Sequence, residues 1–414
     1  MKKNKVAIIT GGGLPVPNVR GGAVESLLTL LGKENEKKKL IDLTFFSSMD
    51  EEAVNVSAEA NQSEGSTTHY IFFSVPRIIQ TLDLYIYFFA KNVMHKHDLM
   101  SYRYFLQRMW YNHKVAQYCA TFDFDYLVFE NTMFPMRMLK KSKCKKYVSR
   151  SFLHMHNDIN HTFGMADIIP EIAGIITVSN YISQKICKQF PNLDQAKVHV
   201  LYNCIDTERF NPNNTEIIQK GRMFREKLGI PSQATVFLFS GRLTEEKGAK
   251  QLLQAFGKLE YADAYLVIVG AYFFDSQMNS PFGHVLHSLA DKTHGRVKFT
   301  GYIDYADMPV VYSIADICVL PSIWDEPAGL TIIESIVSGT PLITTYSGGI
   351  PEYVNGKTAI ILERNDDLVN ELAKNMRLIA ESTEVRKKMS REALKLGKQY
   401  NAKSYLANFV KCIK

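Results

Sequence analysis

The sequence lacks several patterns that would assign it to a well-known class. No apolar stretch is long and clean enough to span a bilayer, and the short run that ends at Ile9 is not that of a signal peptide. The six cysteines form no C-x-x-C pair and no regular spacing. This usage is typical of reduced thiols, so we expect a cytoplasmic protein. No Asp-x-Asp motif occurs where it would suit a metal ion.

The composition is that of an ordinary soluble protein with several domains. The chain has 414 residues, of which 46% are hydrophobic and 22% are charged. This length predicts two or more domains with substantial cores. The formal charge of +7 modestly favours anionic partners, but it is too diffuse to indicate nucleic acid.

The most informative stretch runs from Asp325 to Glu334. It follows an apolar run that ends at Leu320 and is typical of a buried strand. It then leads into a helix that a glycine, Gly339, closes. Because the N–H groups at a helix start have no partner within the helix, those of Gly329 to Thr331 can bind a phosphate.

Two carboxylates lie on either side of that phosphate site. Glu334 is about five residues into the helix and therefore about 7 Å along its axis, where it can accept hydrogen bonds from a ribose diol. Glu326 lies on the loop, where a group transferred from the phosphate would sit. Two glutamates at this spacing are common by themselves and are usually solvated.

A second motif upstream makes the first one specific. Residues 240–248 read Ser-Gly-Arg-Leu-Thr-Glu-Glu-Lys-Gly and follow another strand-like run. Together the two motifs resemble those of family 4 glycosyltransferases, also described as glycosyl transferases group 1, which have the GT-B fold. In that family an Arg and a Lys clamp the donor diphosphate, and Arg242 and Lys247 match their positions.

The resemblance implies a fold and a reaction. We expect an α/β protein with two Rossmann-like, doubly wound domains that face a cleft. We expect retaining transfer of a hexose from a nucleotide sugar, UDP-linked in most of the family, to a glycan or lipid-linked glycan of a surface polysaccharide. The site residues implied in the second half are Arg242, Lys247, Tyr302, Glu326, Gly329, Leu330, Thr331 and Glu334. With cations and a helix terminus supplied by the protein, no metal or cofactor is expected.

The first half contributes a glycine-rich loop that feeds a helix. Residues 11–13 are all glycine, and Gly21 and Gly22 precede the helix. The G-x-G-x-x-G spacing of dinucleotide oxidoreductases is absent, and Pro15 and Pro17 interrupt the loop. The resemblance places the second glycine of the pair, Gly22, against the donor.

A histidine pair follows a later strand of the first half. His154 and His156 lie two residues apart, so their rings would face the same side of the strand, as in a metal pair. A metal hydrolase would need further ligands at later strand ends, and none falls there convincingly. The family instead places one catalytic histidine at this strand end, which His156 matches best and His154 next. An ordinary core histidine is the alternative.

Residues 70–118 are unusually rich in aromatic residues and methionine, with scattered basic residues. Arg77 and Asp83 interrupt this segment, which favours amphipathic helices rather than a membrane span. The helices could present ordinary core faces, or a surface that binds an anionic membrane or a lipid-linked acceptor. Five lysines between 140 and 146 add a basic cluster, which would support peripheral binding at the inner face of the cell membrane.

The domain boundaries follow from these patterns. We predict an N-terminal acceptor-side domain over residues 1–210, a nucleotide-sugar domain over 211–395, and a C-terminal helix over 396–414 that returns to the first domain. An alternative function is that of a catalytically silent partner, which binds a nucleotide and stabilises another transferase. A phosphorylase would need a pyridoxal lysine site, which we do not find.

Overall fold

The computed structural model describes residues 3–92, 103–270 and 281–414. The chain divides into two compact units, which we call the N-terminal unit (residues 1–201 with 405–414) and the C-terminal unit (202–404). Met94, Met100 and Tyr102, which belong to the predicted aromatic segment, lie outside the described residues.

The N-terminal unit is built on a parallel seven-stranded sheet. Its strands are β1 (Lys5–Ile9), β2 (Asp42–Ser48), β3 (Thr68–Phe73), β4 (Tyr126–Glu130), β5 (Ser151–Met155), β6 (Gly174–Thr177) and β7 (Val198–Val200). Their order is β3-β2-β1-β4-β5-β6-β7. The α-helices are α1 (Ala23–Lys38), α2 (Glu51–Gln62), α3 (Arg77–Asn92), α4 (Phe105–Thr121) and α5 (Asn180–Gln189).

The C-terminal unit repeats the architecture with a parallel six-stranded sheet. Its strands are β8 (Thr235–Ser240), β9 (Ala264–Val269), β10 (Val297–Gly301), β11 (Ile317–Leu320), β12 (Leu342–Thr345) and β13 (Ala359–Leu362), in the order β10-β9-β8-β11-β12-β13. The helices are α6 (Thr215–Lys227), α7 (Ala249–Gly257), α8 (Pro281–Asp291), α9 (Met308–Ser313), α10 (Leu330–Val337), α11 (Ile350–Tyr353), α12 (Leu368–Glu381) and α13 (Thr383–Gly397). The last helix, α14 (Ala402–Cys412), belongs to the N-terminal unit from residue 405 onward.

The predicted fold class, two doubly wound α/β units, is confirmed. Strands β8, β9 and β11 read as near-continuous apolar runs because a parallel sheet is covered by helices on both faces. In each sheet the strand order reverses once, between β1 and β4 and between β8 and β11. Ligands of such sheets bind beyond the strand ends at these reversals, so the topology already marks one candidate position in each unit.

Three local predictions were wrong. The polar sequence of residues 47–69 predicts an irregular surface loop, but α2 lies within them because the Asp50 carboxylate caps the N–H groups of Glu52 and Ala53. The aromatic segment begins as strand β3 before its helices start. The sequence predicts a strand over residues 146–153, but β5 begins only at Ser151, since residues 142–150 form a 3₁₀ helix.

Candidate active site

The turn that precedes α10 leaves two backbone N–H groups available at the helix start. Gly329 is the N-cap residue, and no side chain caps the helix. The N–H groups of Ile332 and Ile333 both donate to the Gly329 carbonyl, at 3.1 and 3.3 Å. Those of Leu330 and Thr331 donate to no residue in the described part of the chain. Since the helix dipole adds positive potential here, this turn is suited to an anion.

Two loops of the C-terminal unit are linked by a hydrogen bond. The Ile323 N–H donates to the Glu246 carbonyl at 2.9 Å, which ties the loop after β11 to the loop after β8. Gly248 has a φ of 76°, and a side chain on it would place its Cβ 1.9 Å from the Pro321 carbonyl oxygen. Glycine is therefore required at this position, because any other residue would push the two loops apart.

The joined loops hold a partly buried ion pair. Lys247 Nζ lies 2.6 Å from Glu326 Oε1, although the two residues are 79 positions apart. The Ser322 hydroxyl donates to the same carboxylate oxygen at 2.9 Å. Glu326 is only 8% exposed. Since a carboxylate can be buried only when it is paired and hydrogen-bonded, these contacts fix the position of the Glu326 side chain.

The glycine turn after β12 fixes the backbone of the same residue. The Gly349 N–H donates to the Glu326 carbonyl at 2.7 Å. A Cβ on Gly348 would lie 2.2 Å from that carbonyl oxygen, and the φ of Gly348 is 52°. The turn therefore holds the Glu326 backbone, while Lys247 and Ser322 hold its side chain.

Arg242 is held far less tightly. Its guanidinium lies 3.3 Å from Glu246 Oε1 and is 65% exposed. An exposed pair of this kind contributes little to stability, because solvent screens both charges. Arg242 can therefore exchange Glu246 for a diphosphate at small cost.

Glu334 lies inside the C-terminal unit on α10 and is 4% exposed. The Tyr312 hydroxyl donates to its Oε2 at 2.9 Å. Burial raises the pKa of the Glu334 carboxyl to about 7, against the opposing effect of the Tyr312 hydrogen bond. Its Oε1 accepts no hydrogen bond from any residue in ranges 3–92, 103–270 and 281–414, so this oxygen can bind a ligand hydroxyl.

The raised pKa of Glu334 predicts a pH effect on stability. An acid whose folded pKa exceeds its unfolded value stabilises the fold fully below the unfolded pKa, near 4.5, and loses this contribution as the pH rises through about 7. Wild-type protein should therefore lose on the order of 3 kcal/mol more unfolding free energy than Glu334→Gln between pH 5 and pH 8. Denaturant unfolding of both proteins at both pH values measures the difference. Parallel pH profiles would show that Glu334 does not titrate in this range.

Tyr302, the predicted contact for the base, directly follows β10. It is 49% exposed, and the preceding Gly301 has a φ of 73°. Its location at the carboxyl end of the sheet is shared with Lys247 and Glu326, which also follow strand ends. The structure thus places all eight predicted residues of the second half on the C-terminal unit, and it directly joins Lys247 to Glu326.

Gly22 is the N-cap residue of α1 in the N-terminal unit, with a φ of 111°. A Cβ there would lie 2.1 Å from Glu25 Oε2 and 2.9 Å from the Leu14 side chain. Both the backbone conformation and the close approach therefore require glycine. Burial raises the pKa of the Glu25 carboxyl, and the negative charge of Glu130 adds to the effect.

The histidine pair shares one buried carboxylate, which the sequence analysis missed. Glu130 Oε1 lies 3.0 Å from His154 Nδ1, and its Oε2 lies 3.2 Å from His156 Nε2. Burial alone would raise the pKa of Glu130, but the two imidazoles outweigh it and lower that pKa to about 2. Burial and the neighbouring His154 lower the pKa of His156. Glu130 is the last residue of β4 and pairs with His154 on β5. Its position at the end of a neighbouring strand is the sequence feature that could have predicted this contact.

The cluster of Glu130, His154 and His156 also has the chemistry of a metal site. One ligand atom from each residue lies within 4.8 Å of the others, and His154 Nε2 is buried without a hydrogen-bond partner in the described residues. The same contacts equally suit a hydrogen-bonded Glu-His pair that orients a catalytic imidazole. The hydrogen bonds to Glu130 satisfy one nitrogen of each ring without a metal ion.

Comparisons with known proteins agree with this geometry. Residues 222–396, which lie within the C-terminal unit, match the family model described as Glycosyl transferases group 1. This part of the chain is therefore similar to the group 1 glycosyltransferases. Spore coat protein SA of Bacillus subtilis is 28% identical over 395 residues, which cover 90% of this chain and 92% of that protein.

A second relative and a solved structure extend the comparison. The GDP-mannose-dependent monoacylated alpha-(1-6)-phosphatidylinositol monomannoside mannosyltransferase of Corynebacterium glutamicum is 30% identical over 220 residues, half of this chain and 55% of that protein. The crystal structure of Anabaena Alr3699/HepE in complex with UDP covers 98% of both chains with a TM-score of 0.71 and 18% identity. That likeness supports the predicted GT-B fold.

Proposed function

We propose that the transferase moves a hexose from a UDP-linked sugar to a glycan or lipid-linked glycan, with retention of the anomeric configuration. The observation that carries this proposal is the arrangement at the start of α10. Two available amides of Leu330 and Thr331 share the carboxyl end of one sheet with the Lys247–Glu326 pair. The amides and Lys247 suit the diphosphate of the donor, and Glu326 suits the sugar that is transferred from it.

The diphosphate is the leaving group, so its stabilisation should dominate catalysis. Arg242 can bind two of its oxygens as a fork, and Lys247 can bind it as a point charge. The ammonium of Lys247 has three donors, so it can contact the diphosphate while it remains bonded to Glu326. The amides of Leu330 and Thr331 add the helix dipole at the position where negative charge develops.

The remaining residues receive roles by position. Glu326 would hold donor hydroxyls and stabilise an oxocarbenium-like centre. Glu334 would bind the ribose through Oε1, and Tyr302 would contact the base. Gly22 would allow the N-terminal unit's backbone to approach the donor, and His156, oriented by Glu130, would contact the sugar.

The choice of UDP is supported by similarity to a protein solved with UDP-glucose. The Anabaena protein, similar over 98% of both chains, was also solved in complex with UDP-glucose. The Corynebacterium relative, by contrast, is named as GDP-mannose-dependent and matches half of this chain. We therefore propose a UDP-hexose donor and treat a GDP-sugar as the alternative outcome of the donor screen.

A cavity in the N-terminal unit supports an acceptor site there. Its volume is about 760 Å³, and Glu130 forms part of its wall. Arg108 and Arg137 also line it, together with the ring pair Phe134 and Phe163, whose centroids are 5.4 Å apart. Aromatic rings suit the apolar faces of sugars, and guanidinium groups suit phosphates or carboxylates. We propose that this cavity binds the acceptor glycan of a surface polysaccharide, made at the inner face of the cell membrane.

A donor screen tests the proposed function. Purified protein is incubated with a panel of nucleotide sugars, and release of UDP or GDP is followed with and without candidate glycan acceptors. The expected result is turnover of one UDP-hexose, with an α-linked product from an α-linked donor by NMR. A β-linked product would contradict retention. UDP binding without turnover of any nucleotide sugar would instead favour the silent-partner function.

Activity should survive excess EDTA. Arg242, Lys247 and the α10 amides supply the positive potential that a metal ion would otherwise provide. The measurement is the rate of hexose transfer with and without the chelator, with a Mn²⁺-dependent transferase as the control for chelation. Complete loss of activity, restored by Mn²⁺ or Mg²⁺, would contradict metal independence and favour a metal ion at Glu130, His154 and His156.

A further inference from the structure

Helix α3 carries an exposed apolar surface. Six large apolar side chains on this helix are between 47% and 70% exposed. At 100° per residue they fall within an arc of about 160°, less than half of the helix circumference. We call this set the α3 stripe, and it consists of Ile78, Leu82, Leu84, Tyr85, Phe88 and Phe89.

The opposite face of α3 fixes the direction of the stripe. Asp83 and Ala90 are the buried residues of this helix, and both lie on the side away from the stripe. The Asp83 carboxylate accepts hydrogen bonds from the N–H groups of Leu106 and Gln107 at 2.8 and 2.9 Å. A buried carboxylate at the start of α4 thus anchors α3, because it interacts favourably with the helix dipole. Turning the stripe inward would break both hydrogen bonds.

The charges around the stripe have a single sign. Asp83 is the only carboxylate residue in the sequences of α3 and α4, and it is buried. Arg77 and Lys91 lie at the two ends of α3, and both are exposed. Helix α4 adds an exposed Arg108 together with the exposed apolar side chains of Phe105 and Met109. Within the described residues of α3 and α4, the surface therefore combines apolar, aromatic and basic groups without an exposed acid.

The second basic region of the sequence contributes less. Lys140 is bonded to Asp167 at 3.1 Å, and Lys146 is bonded to Asp123 at 2.8 Å. These ion pairs neutralise two of the five lysines between 140 and 146. Residues 140–146 also present no exposed large apolar side chain, so the combination of basic and apolar groups is found around α3 and α4.

We propose that the α3 stripe binds the headgroup region of an anionic phospholipid membrane, with α3 lying in the plane of the surface. Helices that bind in this way place aromatic and aliphatic side chains at the acyl boundary, while basic residues contact anionic headgroups. No described helix is long and apolar enough to cross the bilayer. Membrane binding itself does not depend on the transfer reaction, whereas its use in presenting a lipid-linked acceptor rests on the proposed function.

Vesicle flotation tests the proposal. Wild-type protein should float with vesicles of phosphatidylcholine and phosphatidylglycerol and much less with phosphatidylcholine alone. Serine substitution of Tyr85, Phe88 and Phe89 together should lower the bound fraction at least about tenfold, because each substitution removes a large apolar contact with the membrane. The matched control places serine at three exposed apolar residues of the C-terminal unit, Met223, Leu378 and Val385.

Charge substitutions provide an independent arm. Arg77→Gln and Lys91→Gln should each weaken binding to the anionic vesicles about fivefold, because each basic group near such a surface contributes about 1 kcal/mol. Neither change should affect the residual binding to phosphatidylcholine. Equal flotation of the wild type and the triple serine variant, or no flotation of the wild type, would overturn the proposal.

Two further measurements separate the competing outcomes. Sedimentation velocity that shows self-association of the wild type, but not of the triple variant, would identify the stripe as an interface between two copies and overturn the membrane assignment. Hydrolysis of the UDP-hexose without vesicles should be the same in wild type and triple variant. If the wild type binds vesicles but turns over no nucleotide sugar, the membrane inference stands and the proposed function fails.

Discussion

Arg242→Ala and Lys247→Ala are each expected to slow hexose transfer at least about a hundredfold while the fold stays intact. This is the usual loss when one group that stabilises charge in the transition state is removed. Arg242 faces solvent and has only a weak partner, so its loss removes a diphosphate contact and little else. Lys247 has a second role, because its ammonium is the ion-pair partner of Glu326 at 2.6 Å.

The two variants should therefore differ in stability although both lose activity. Among the described residues, Lys247→Ala leaves buried Glu326 with only the Ser322 hydroxyl as its side-chain partner, so this variant should unfold more easily than Arg242→Ala. Lys250→Ala is the matched control, since Lys250 is exposed and lies only three residues beyond Lys247. Transfer rates and denaturant unfolding of all three variants provide the comparison. Near-normal turnover in both Arg242→Ala and Lys247→Ala would remove the clamp from the mechanism.

Glu326→Gln is expected to abolish most turnover while UDP affinity stays nearly unchanged, and Glu334→Gln is expected to weaken UDP itself. In the proposed donor orientation Glu326 lies on the sugar side of the α10 turn, so it would contact a group that UDP lacks. An interaction made with the sugar as charge develops lowers kcat without affecting product binding. In addition, removing the Glu326 charge releases Lys247 for the diphosphate, so UDP should not bind more weakly.

Calorimetric titration of UDP into both variants, together with kcat for the UDP-hexose, separates the two carboxylates. Tyr312→Phe offers a control for Glu334, because it removes the hydrogen bond to Oε2 and keeps the carboxylate. It should affect UDP affinity less than Glu334→Gln. Loss of UDP binding in Glu326→Gln with retention in Glu334→Gln would reverse the orientation of the donor.

The strands that lead into the candidate site could be predicted from the sequence. Buried parallel strands produce long apolar runs, and the residues that follow such runs must gather at one edge of the sheet. Arg242, Lys247, Glu326 and Glu334 could therefore be assigned to the C-terminal unit before its structure was known. The glycines at 22, 248 and 348 have positive φ angles, which explains why these turns use glycine.

The partners of those residues could not be predicted in the same way. Ser322, Tyr312 and Glu130 contact the predicted residues through space, and their choice depends on strand register and on side-chain direction. Helix α2 was missed for a different reason. Its apolar residues are few and only Ala53 and Ser57 are buried, so its capping by Asp50 was a stronger signal than its periodicity.

The exposure of the α3 stripe was also beyond the sequence. A helix face that packs on a core and a helix face that binds a membrane have the same spacing of apolar residues, so the sequence does not distinguish them. The deciding contact is that of Asp83 with the amides at the start of α4, which turns the charged residue inward and the aromatic residues outward. A carboxylate among aromatic residues reads as a solvent-facing position until its partner is known.

A crystal structure with bound UDP tests the central claim, that the start of α10 is the diphosphate site of the donor. We predict phosphate oxygens within hydrogen-bond distance of the Leu330 and Thr331 N–H groups, contacts from Arg242 and Lys247, and the ribose hydroxyls near Glu334 Oε1. A diphosphate that contacts none of these groups, held instead by the glycine-rich residues 11–13 alone, would contradict the account.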